Sequence, residues 1–290
     1  MDFSAIGQKI RELRKSIGLS QEELARDICT QAQISKIEKG DVYPYANTLY
    51  LISQKLGVDV NYFFEIGSTP RIDYVNEVAR QLLLTRRNFQ YEEMKGIVKT
   101  EEKNPLFQQN NKNLQLLLWY KGIYEHALHK NFEKAIDYLR EAIAITHTLE
   151  KVWSEKEIEI LLTLGSVYFE EEMIDEALTT YLKAKDSLKQ LIFLSDNTLF
   201  VRLSYNISRA LTRLERYEES NKYCINAINW CIEKDNLYIF GELHYQIGYN
   251  NELMGNKEKA LPYYEKSKFI FELQRDEKYL SFIKERLKNW

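Results

Sequence analysis

The 290-residue chain has few of the features that mark secreted, membrane-spanning or disordered proteins. Its three cysteines form neither a CxxC pair nor a disulfide framework, so we expect buried free thiols. It has only four prolines, no run of about 18 apolar residues that would span a bilayer, and no apolar signal-peptide core at its N-terminus. We therefore expect a cytoplasmic protein without membrane association, and its 44% apolar residues are enough for sizeable cores.

The chain also lacks the motifs of common enzyme classes. It has no glycine-rich phosphate loop, no GxSxG motif and no supported His/Cys pairing. His126 and His129 lie one turn apart on a predicted helix, but no third ligand follows at metal spacing. We expect no catalytic residues, no metal site and no cofactor. The net charge of −3 argues against a broadly basic surface that coats nucleic acid, so we expect any contact with DNA to be local.

Five short amphipathic helices are predicted within residues 1–65. Ser20, with Glu23 three residues later, forms a capping box at the start of the second helix, and Thr30 can cap the third. Gly18 and Gly40 can end the first and third helices in a left-handed conformation. The apolar residues expected to face the core are Ile6, Ile10, Leu13, Ile17, Leu24, Ile28, Ile34, Ile37, Leu49, Ile52 and Leu56.

The second and third helices are joined by about three residues, which is the spacing of a helix-turn-helix. Outward positions near the start of the third helix carry amides, a methyl group and an amine, which suit base edges in a major groove. Gln21, at the start of the second helix, is placed to donate to a backbone phosphate. The residues predicted to contact DNA are Gln21, Thr30, Gln31, Ala32, Gln33, Ser35 and Lys36.

The segments "LRKSIGLSQEELA" and "ISKIEKG" resemble the Cro/C1-type helix-turn-helix of bacterial and phage repressors over residues 6–65. The resemblance implies a structural ion pair between Arg14 and Glu38, although the turn "ICTQ" is one residue shorter than usual and lacks glycine. An ordinary helical hairpin with polar outer faces is the alternative. Residues 1–65 carry eight Lys and Arg against nine Asp and Glu, so one copy should bind DNA weakly. A homodimer on palindromic double-stranded DNA is therefore predicted.

The cluster "EIGSTPRID" predicts a linker at 66–73 between a DNA-binding domain, 1–65, and a second domain, 74–290. In the second domain, "FEKAIDYLREAIAI" at 132, "IDEALTTYLKAKDSL" at 174, "YEESNKYCINAINW" at 217 and "KEKALPYYEKSKFI" at 257 align at intervals of 42, 43 and 40 residues. Small residues then fall into three columns: Ala135, Ala177, Ser220 and Ala260; Ala142, Ala184, Ala227 and Ser267; and Gly122, Gly165, Ser208 and Gly248.

These columns resemble the tetratricopeptide repeat with lengthened helices, in which small side chains let antiparallel helices approach closely. Tyr168, Tyr181 and Tyr264 are expected to fill the gaps between helix pairs. A degenerate first copy begins near residue 74, and "DEKYLSFIKERLKNW" predicts a closing helix. The predicted fold is all-α: a five-helix head followed by a right-handed superhelix of about five degenerate repeats and a C-terminal capping helix.

The concave surface of such a superhelix most often holds an extended peptide or a partner helix. Amide side chains there can bond to a peptide backbone whatever its sequence, and arginine can receive a carboxylate. The residues predicted to face inward are Arg86, Arg87, Arg202, Tyr205, Asn206, Arg209, Glu242, Tyr245, Gln246 and Tyr249.

A Cro/C1-type head joined to such repeats is similar to the PlcR-type peptide-responsive regulators of Gram-positive bacteria, the RNPP family. The likeness includes "ICTQ", "GDVYP" and "YEESNKYCINAI". It implies a quorum-sensing transcriptional regulator in which a short signalling peptide, bound within the repeats, controls how a homodimer binds DNA.

The same resemblance implies four peptide contacts, at Arg87, Asn206, Glu242 and Tyr279. Leu162 stands where an amide is expected and Phe89 where a basic residue is expected, so the peptide should differ from the one best known in the family. The alternative is a regulator whose repeats bind a protein partner instead of a peptide. A short secreted peptide encoded in the neighbouring reading frame would distinguish the two.

Overall fold

The computed structural model describes residues 2–69, 71–148 and 152–288. Within these ranges every regular element is helical and no strand occurs, which confirms the predicted all-α class. The helices are α1 (Phe3–Ser16), α2 (Gln21–Ala25), α3 (Gln31–Lys39), α4 (Ala46–Leu56), α5 (Val60–Ser68), α6 (Ile72–Arg87), α7 (Tyr91–Glu101), α8 (Pro105–Gln108), α9 (Asn111–His129), α10 (Phe132–Ala144), α11 (Glu155–Glu170), α12 (Ile174–Leu188), α13 (Thr198–Arg213), α14 (Tyr217–Glu233), α15 (Phe240–Leu253), α16 (Lys257–Gln274) and α17 (Glu277–Lys288).

The chain forms two compact units, Met1–Leu114 and Gln115–Trp290, and the division falls within α9. The linker expected at 66–73 is shorter in the structure, because α5 continues through Ser68 and α6 begins at Ile72. We call α1 to α5 the head, and helices α6 to α8 belong to the first unit together with it. The assignment of domains to 1–65 and 74–290 therefore stays a prediction.

The head packs its five helices around one apolar core. Helix α1 approaches α3 closely at Gly7, where a Cβ atom would overlap the backbone carbonyl oxygen of Ile37. A side chain at this position would therefore force the two helices apart. The buried core residues are Ile6, Ile10, Leu24, Ala25, Ile34, Ile37, Leu49, Ile52, Leu56 and Phe63.

The ends of α2 and α3 are fixed by local hydrogen bonds. The Ser20 hydroxyl accepts from the backbone N–H of Glu23 at 3.1 Å, and the Glu23 carboxylate accepts from the backbone N–H of Ser20 at 2.7 Å. The Thr30 hydroxyl accepts from the backbone N–H of Gln33 at 3.2 Å, and Gly40 ends α3 with φ of 80°. These caps satisfy backbone groups that a helix end leaves without partners.

Two boundary predictions in the head are wrong. Helix α2 ends at Ala25, because Asp27 takes a left-handed φ of 65° and leaves Ile28 in the loop. Residues 26–30 therefore separate α2 from α3, which is more than the three residues expected. Ile17 caps α1 and is 51% exposed, so it does not face the core.

The second unit is built from antiparallel helix pairs: α9 with α10, α11 with α12, α13 with α14 and α15 with α16, followed by α17 against α16. The small residues of the predicted columns lie at the helix crossings and are buried. A Cβ at Gly122 would lie 2.7 Å from Leu139, and one at Gly248 would lie 2.8 Å from the Tyr264 ring. The columns therefore mark the places where paired helices come so close that only a small residue fits.

Candidate functional sites

The predicted DNA-contacting residues lie at the start of α2, at the N-cap of α3 and within the first two turns of α3. Gln31, Ala32 and Lys36 are exposed, and Gln33 and Ser35 are half-buried. Within the residues that the structure describes, the Gln33 amide and the Lys36 amine make no side-chain hydrogen bond or ion pair. Both are thus available to a ligand. Thr30 differs, because its hydroxyl already caps α3.

A chain of hydrogen bonds connects the head core to the first residue of α3. Glu38 accepts from Arg14 through both carboxylate oxygens, at 2.6 Å from Nε and 3.0 Å from Nη2. Gln21 Nε2 donates to Glu38 Oε2 at 2.8 Å, and Gln31 Nε2 donates to Gln21 Oε1 at 2.7 Å. The ion pair implied by the family resemblance is thus the anchor of a network that orients Gln31.

This network alters the role that the sequence suggested for Gln21. Its carbonyl oxygen and one amide N–H are used inside the head, so only the second N–H is left for a phosphate. Gln31 keeps its carbonyl oxygen and one N–H for a base edge, and its orientation is set by Gln21. Sequence reasoning placed both side chains at the DNA but missed that they are joined.

The buried ion pair keeps both of its partners charged. Burial raises the pKa of Glu38, but hydrogen bonds from Arg14 and Gln21 and the charges of Arg14 and Arg11 together lower it by more, so the pKa lies below its usual range. The hydrogen bond to Glu38 raises the pKa of Arg14. Both side chains are nearly inaccessible, with 9% of Arg14 and 1% of Glu38 exposed.

In the second unit, Arg202 is already occupied by acidic neighbours. Its Nη2 lies 2.9 Å from Glu159 Oε1 and 2.7 Å from Asp196 Oδ2. Burial lowers the pKa of Arg202, but these two carboxylates raise it to a larger extent. That Arg202 faces a bound peptide stays a prediction, but its charge is already neutralised by Glu159 and Asp196 within the protein.

Four other predicted residues, from α13, α15 and the region of α17, lie close enough for their charges to interact: Tyr205, Arg209, Glu242 and Tyr279. The Arg209 guanidinium lies 4.5 Å from the ring centroid of Phe169 and 5.8 Å from that of Tyr205. Among the described residues it has no carboxylate partner within salt-bridge distance. We call these four residues, with Asn206, the inner cluster.

The polar groups of the inner cluster are only partly satisfied by the protein. Burial raises the pKa of the Glu242 carboxyl, and the charge of Asp276 raises it further. Burial also raises the pKa of Tyr205 and of Tyr279. Asn206 is half-buried, and its amide makes no hydrogen bond to the part of the chain that the structure describes. The cluster thus offers an amide, a guanidinium and a carboxyl to a ligand.

Gln246 does not belong with the ligand-facing residues. It is 6% exposed, and its Nε2 donates to Thr212 Oγ1 at 2.8 Å and contacts Asn250 Oδ1 at 3.3 Å. Asn250 in turn donates to Ser220 Oγ at 2.8 Å. The side chain is part of a buried polar network between α13, α14 and α15, so its assignment to the peptide surface is wrong.

Tyr245 and Tyr249 are held by the last helix. Their rings stack with centroids 6.1 Å apart, and the Arg286 guanidinium lies 5.7 Å and 5.0 Å from those centroids. Arg286 also donates to Glu252 Oε2 at 2.6 Å and to the Tyr245 hydroxyl at 3.1 Å. Sequence reasoning missed Arg286, because nothing in "IKERLKNW" distinguishes it from an ordinary surface charge.

Arg86 and Arg87 lie in the first unit, in the last turn of α6. Arg87 is exposed and Arg86 is half-buried. The two positions expected to alter peptide preference differ in burial: Leu162 is 2% exposed, whereas Phe89 is 71% exposed and contacts Tyr91 edge to face. Only Phe89 is therefore accessible to a ligand in the structure.

The described residues contain no group of three or more His, Cys, Asp and Glu arranged to hold a metal ion. His126 is instead 2.9 Å from Glu171 and 3.4 Å from Glu170. Across the same ranges, no helix combines the length and apolarity needed to cross a membrane. Cys224 and Cys231 are buried free thiols, and burial raises the pKa of both, to about 12 and about 11.

The head and the repeats each match a known family. Residues 10–63 match the helix-turn-helix family, and residues 79–290 match the RNPP family C-terminal domain. Over 61 residues, the chain is 44% identical to an uncharacterized HTH-type transcriptional regulator of Sinorhizobium medicae. This match covers 21% of the chain and only 44% of that relative's length.

Solved structures share the fold of nearly the whole chain. PlcR of Bacillus thuringiensis, in complex with the peptide PapR7 and DNA, matches with a TM-score of 0.86 and 24% identity over 97% of this chain and 99% of PlcR. ComR of S. thermophilus, in complex with DNA and its signalling peptide ComS, matches with a TM-score of 0.61 and 16% identity over 96% and 97% of the two chains. Because the RNPP domain match spans most of the chain and follows a helix-turn-helix, this protein belongs to the RNPP family.

Proposed function

We propose that this protein is a cytoplasmic transcriptional regulator that binds DNA through α3 and is controlled by a short signalling peptide bound at the inner cluster. The proposal rests on the presence of two features in the same chain. The head presents the unpaired side chains of Gln33 and Lys36 beside an oriented Gln31, and the RNPP domain holds a cluster of unsatisfied polar groups. Its role is binding and not catalysis.

The DNA side of the proposal rests on a pre-oriented recognition helix. The bonds from Glu38 through Gln21 to Gln31 fix one amide before DNA arrives, which lowers the conformational entropy lost on binding. Lys36 adds a cation that suits guanine or a phosphate. With eight basic and nine acidic residues in 1–65, a single head has little general attraction for DNA. A homodimer on a palindromic site would supply the missing affinity.

The peptide side rests on the chemistry of the inner cluster. Asn206 can donate to and accept from a peptide backbone, Arg209 can receive a carboxylate, and Glu242 can accept from an amine or amide. Burial makes such contacts stronger than they are in water. PlcR and ComR, whose folds this chain shares, are each seen with a peptide and DNA. Their example supports the same pair of ligands here.

The DNA arm is tested by selecting sites for the full chain from a random duplex library and measuring affinity by fluorescence anisotropy. Gln33→Ala should cost about 1–3 kcal/mol and relax base preference, whereas Lys36→Met should weaken binding to all sequences and reduce its salt dependence. Gln8→Ala, at an exposed position on α1, is the matched control. If both α3 variants bind the selected site as the unchanged protein does, α3 is not the DNA reader.

The peptide arm is tested by selecting binders from a random short-peptide library and titrating the best peptide by calorimetry. Asn206→Ala should reduce its affinity by about tenfold, as expected for one lost hydrogen bond in a partly buried site. Asn229→Ala makes the same substitution at an exposed position on α14 and should have no effect. Failure to enrich any peptide would favour the second candidate, in which the repeats bind a folded protein partner.

A further inference from the structure

A cavity lies in the repeats, and no residue of the inner cluster lines it. It measures about 620 Å³ and opens between α12, α13, α14 and the segment 189–197. This is the size of many small-molecule sites. None of the residues predicted to bind peptide lines it. Its apolar lining comes mainly from Leu188, Leu191, Ile192, Leu194, Phe200 and Trp230.

The walls of this cavity are held in place by hydrogen bonds. The Glu155 carboxylate accepts from the backbone N–H groups of Ser195 and Asp196, at 2.8 Å and 2.7 Å. Trp230 Nε1 donates to the backbone carbonyl of Asn197 at 3.1 Å. The segment 189–197 is therefore tied to both α11 and α14, so the cavity is largely formed before any ligand binds.

Apolar surface is left uncovered at the mouth of the cavity. Ile192, one of the lining residues, is fully exposed, and its neighbour Phe193 is 78% exposed. The Phe200 and Trp230 rings also line the cavity, with centroids 4.8 Å apart. A ligand with an apolar body would remove this surface from water, which is favourable.

The polar end of the cavity is positive. Lys185 Nζ donates to the Tyr223 hydroxyl at 2.7 Å and lies 4.9 Å from the centroid of that ring. Within the described ranges it pairs with no carboxylate. Lys189 lines the same cavity, and its charge is balanced by Asp186 at 3.3 Å. Lys185 is thus an ammonium group beside an apolar space, with donors left for an anion.

We propose that this cavity binds a small amphipathic carboxylate, whose aliphatic or aromatic body packs between Leu194 and the Phe200 and Trp230 rings and whose carboxylate pairs with Lys185. A positive end excludes amines, and the apolar walls disfavour small polar anions such as phosphate, which would lose hydration without new partners. The site is independent of the proposed peptide and DNA functions. It would give the repeats a second, small-molecule ligand.

The probe is octanoate, with 1-octanol and octylamine as its neutral and cationic counterparts, and binding is measured by titration calorimetry on the full chain. We expect octanoate to bind saturably at one site and more tightly than octylamine. Lys185→Met should weaken octanoate by about tenfold or more, the loss expected for one charge-assisted hydrogen bond, and should leave octanol within twofold. Lys183→Met, an exposed position on the same helix outside the cavity, is the matched control.

A second variant tests the cavity independently of charge. Asn226 is exposed and lines the mouth, so Asn226→Trp should block octanoate and octanol alike while circular dichroism shows an unchanged fold. The proposal is overturned if octanoate does not bind, if Lys185→Met binds it as the unchanged protein does, or if octylamine binds as tightly. It is also overturned if the folded Asn226→Trp variant keeps full octanoate affinity.

Discussion

Replacing Glu38 by alanine should strongly destabilise the head while leaving the second unit intact. Glu38 is 1% exposed and is the only carboxylate that the structure places against the buried Arg14 guanidinium within the described residues. Its removal leaves that cation buried without a counter-charge and also frees Gln21. The variant therefore lowers the stability of the head and also loosens the hydrogen-bond network that orients the Gln31 side chain at the start of α3.

The expected magnitude follows from the burial of the pair. Removing one partner of a buried ion pair costs about 3–5 kcal/mol. A domain the size of the head is stable by roughly 3–10 kcal/mol, so the loss is a large share of the total. The double variant Arg14→Met with Glu38→Leu should recover most of it, because well-packed apolar residues often replace such a pair without cost. If the double variant were destabilised by the sum of the two single substitutions, this account would be contradicted.

Hydrogen-exchange mass spectrometry of the full chain, read on peptides from α1 and α3, measures the effect where it should occur. Glu77→Ala is the matched control, because Glu77 holds Arg80 with the same two-bond geometry, at 2.7 Å and 2.8 Å, on the exposed face of α6. Exposed pairs contribute little, so exchange should not change there. The reasoning would be refuted if hydrogen exchange in α1 and α3 were unchanged in Glu38→Ala, or if Glu38→Ala and Glu77→Ala lost equal protection from exchange.

The same pair predicts a pH dependence. Because the folded pKa of Glu38 is lowered, its stabilisation is fully present above the unfolded pKa of about 4.3 and is lost as pH falls through the folded pKa. The head of the unchanged protein should lose stability across that acidic window. The Arg14→Met, Glu38→Leu variant should lose less of it, and identical slopes would show that other groups cause the acid sensitivity.

Two further substitutions test the repeats. Gly165→Ala places a methyl group against the ring of the buried Tyr181, so it should lower the free energy of unfolding by about 1–3 kcal/mol in urea denaturation. Gly96→Ala on α7 is the control, because its methyl group would meet open space and should cost nothing. Equal effects of the two substitutions would contradict the close approach of α11 and α12. Arg286→Met should lower the free energy of unfolding by about 1–3 kcal/mol and speed proteolysis of α17, because it removes two hydrogen bonds to Glu252, of 2.6 Å and 3.0 Å. Unchanged cleavage would show that the apolar face of α17 is enough to hold this helix in place.

The fold was readable from the sequence because its signals are local. The caps at Ser20 and Thr30 depend on residues three positions away, and the repeat columns depend on small residues at helical spacing. These patterns give the helical class, the helix-turn-helix and the pairing of repeat helices. The end of α2 was missed because the residue in the left-handed conformation after it is Asp27, and not the glycine that usually marks a helix end in a sequence.

The sequence by itself determined which elements form and which face of each is apolar, since both follow from neighbours along the chain. Only the tertiary structure decided what the polar residues away from the helix ends do, apart from the Arg14–Glu38 pair that the family resemblance implied. Gln21 meets Glu38 across 17 positions, Gln246 meets Thr212 across 34, and Arg202 meets Glu159 across 43. A polar side chain reads alike in the sequence whether it is paired, buried or free. Helix packing alone left Asn206 and Arg209 available to a ligand and used Arg202 and Gln246 within the protein.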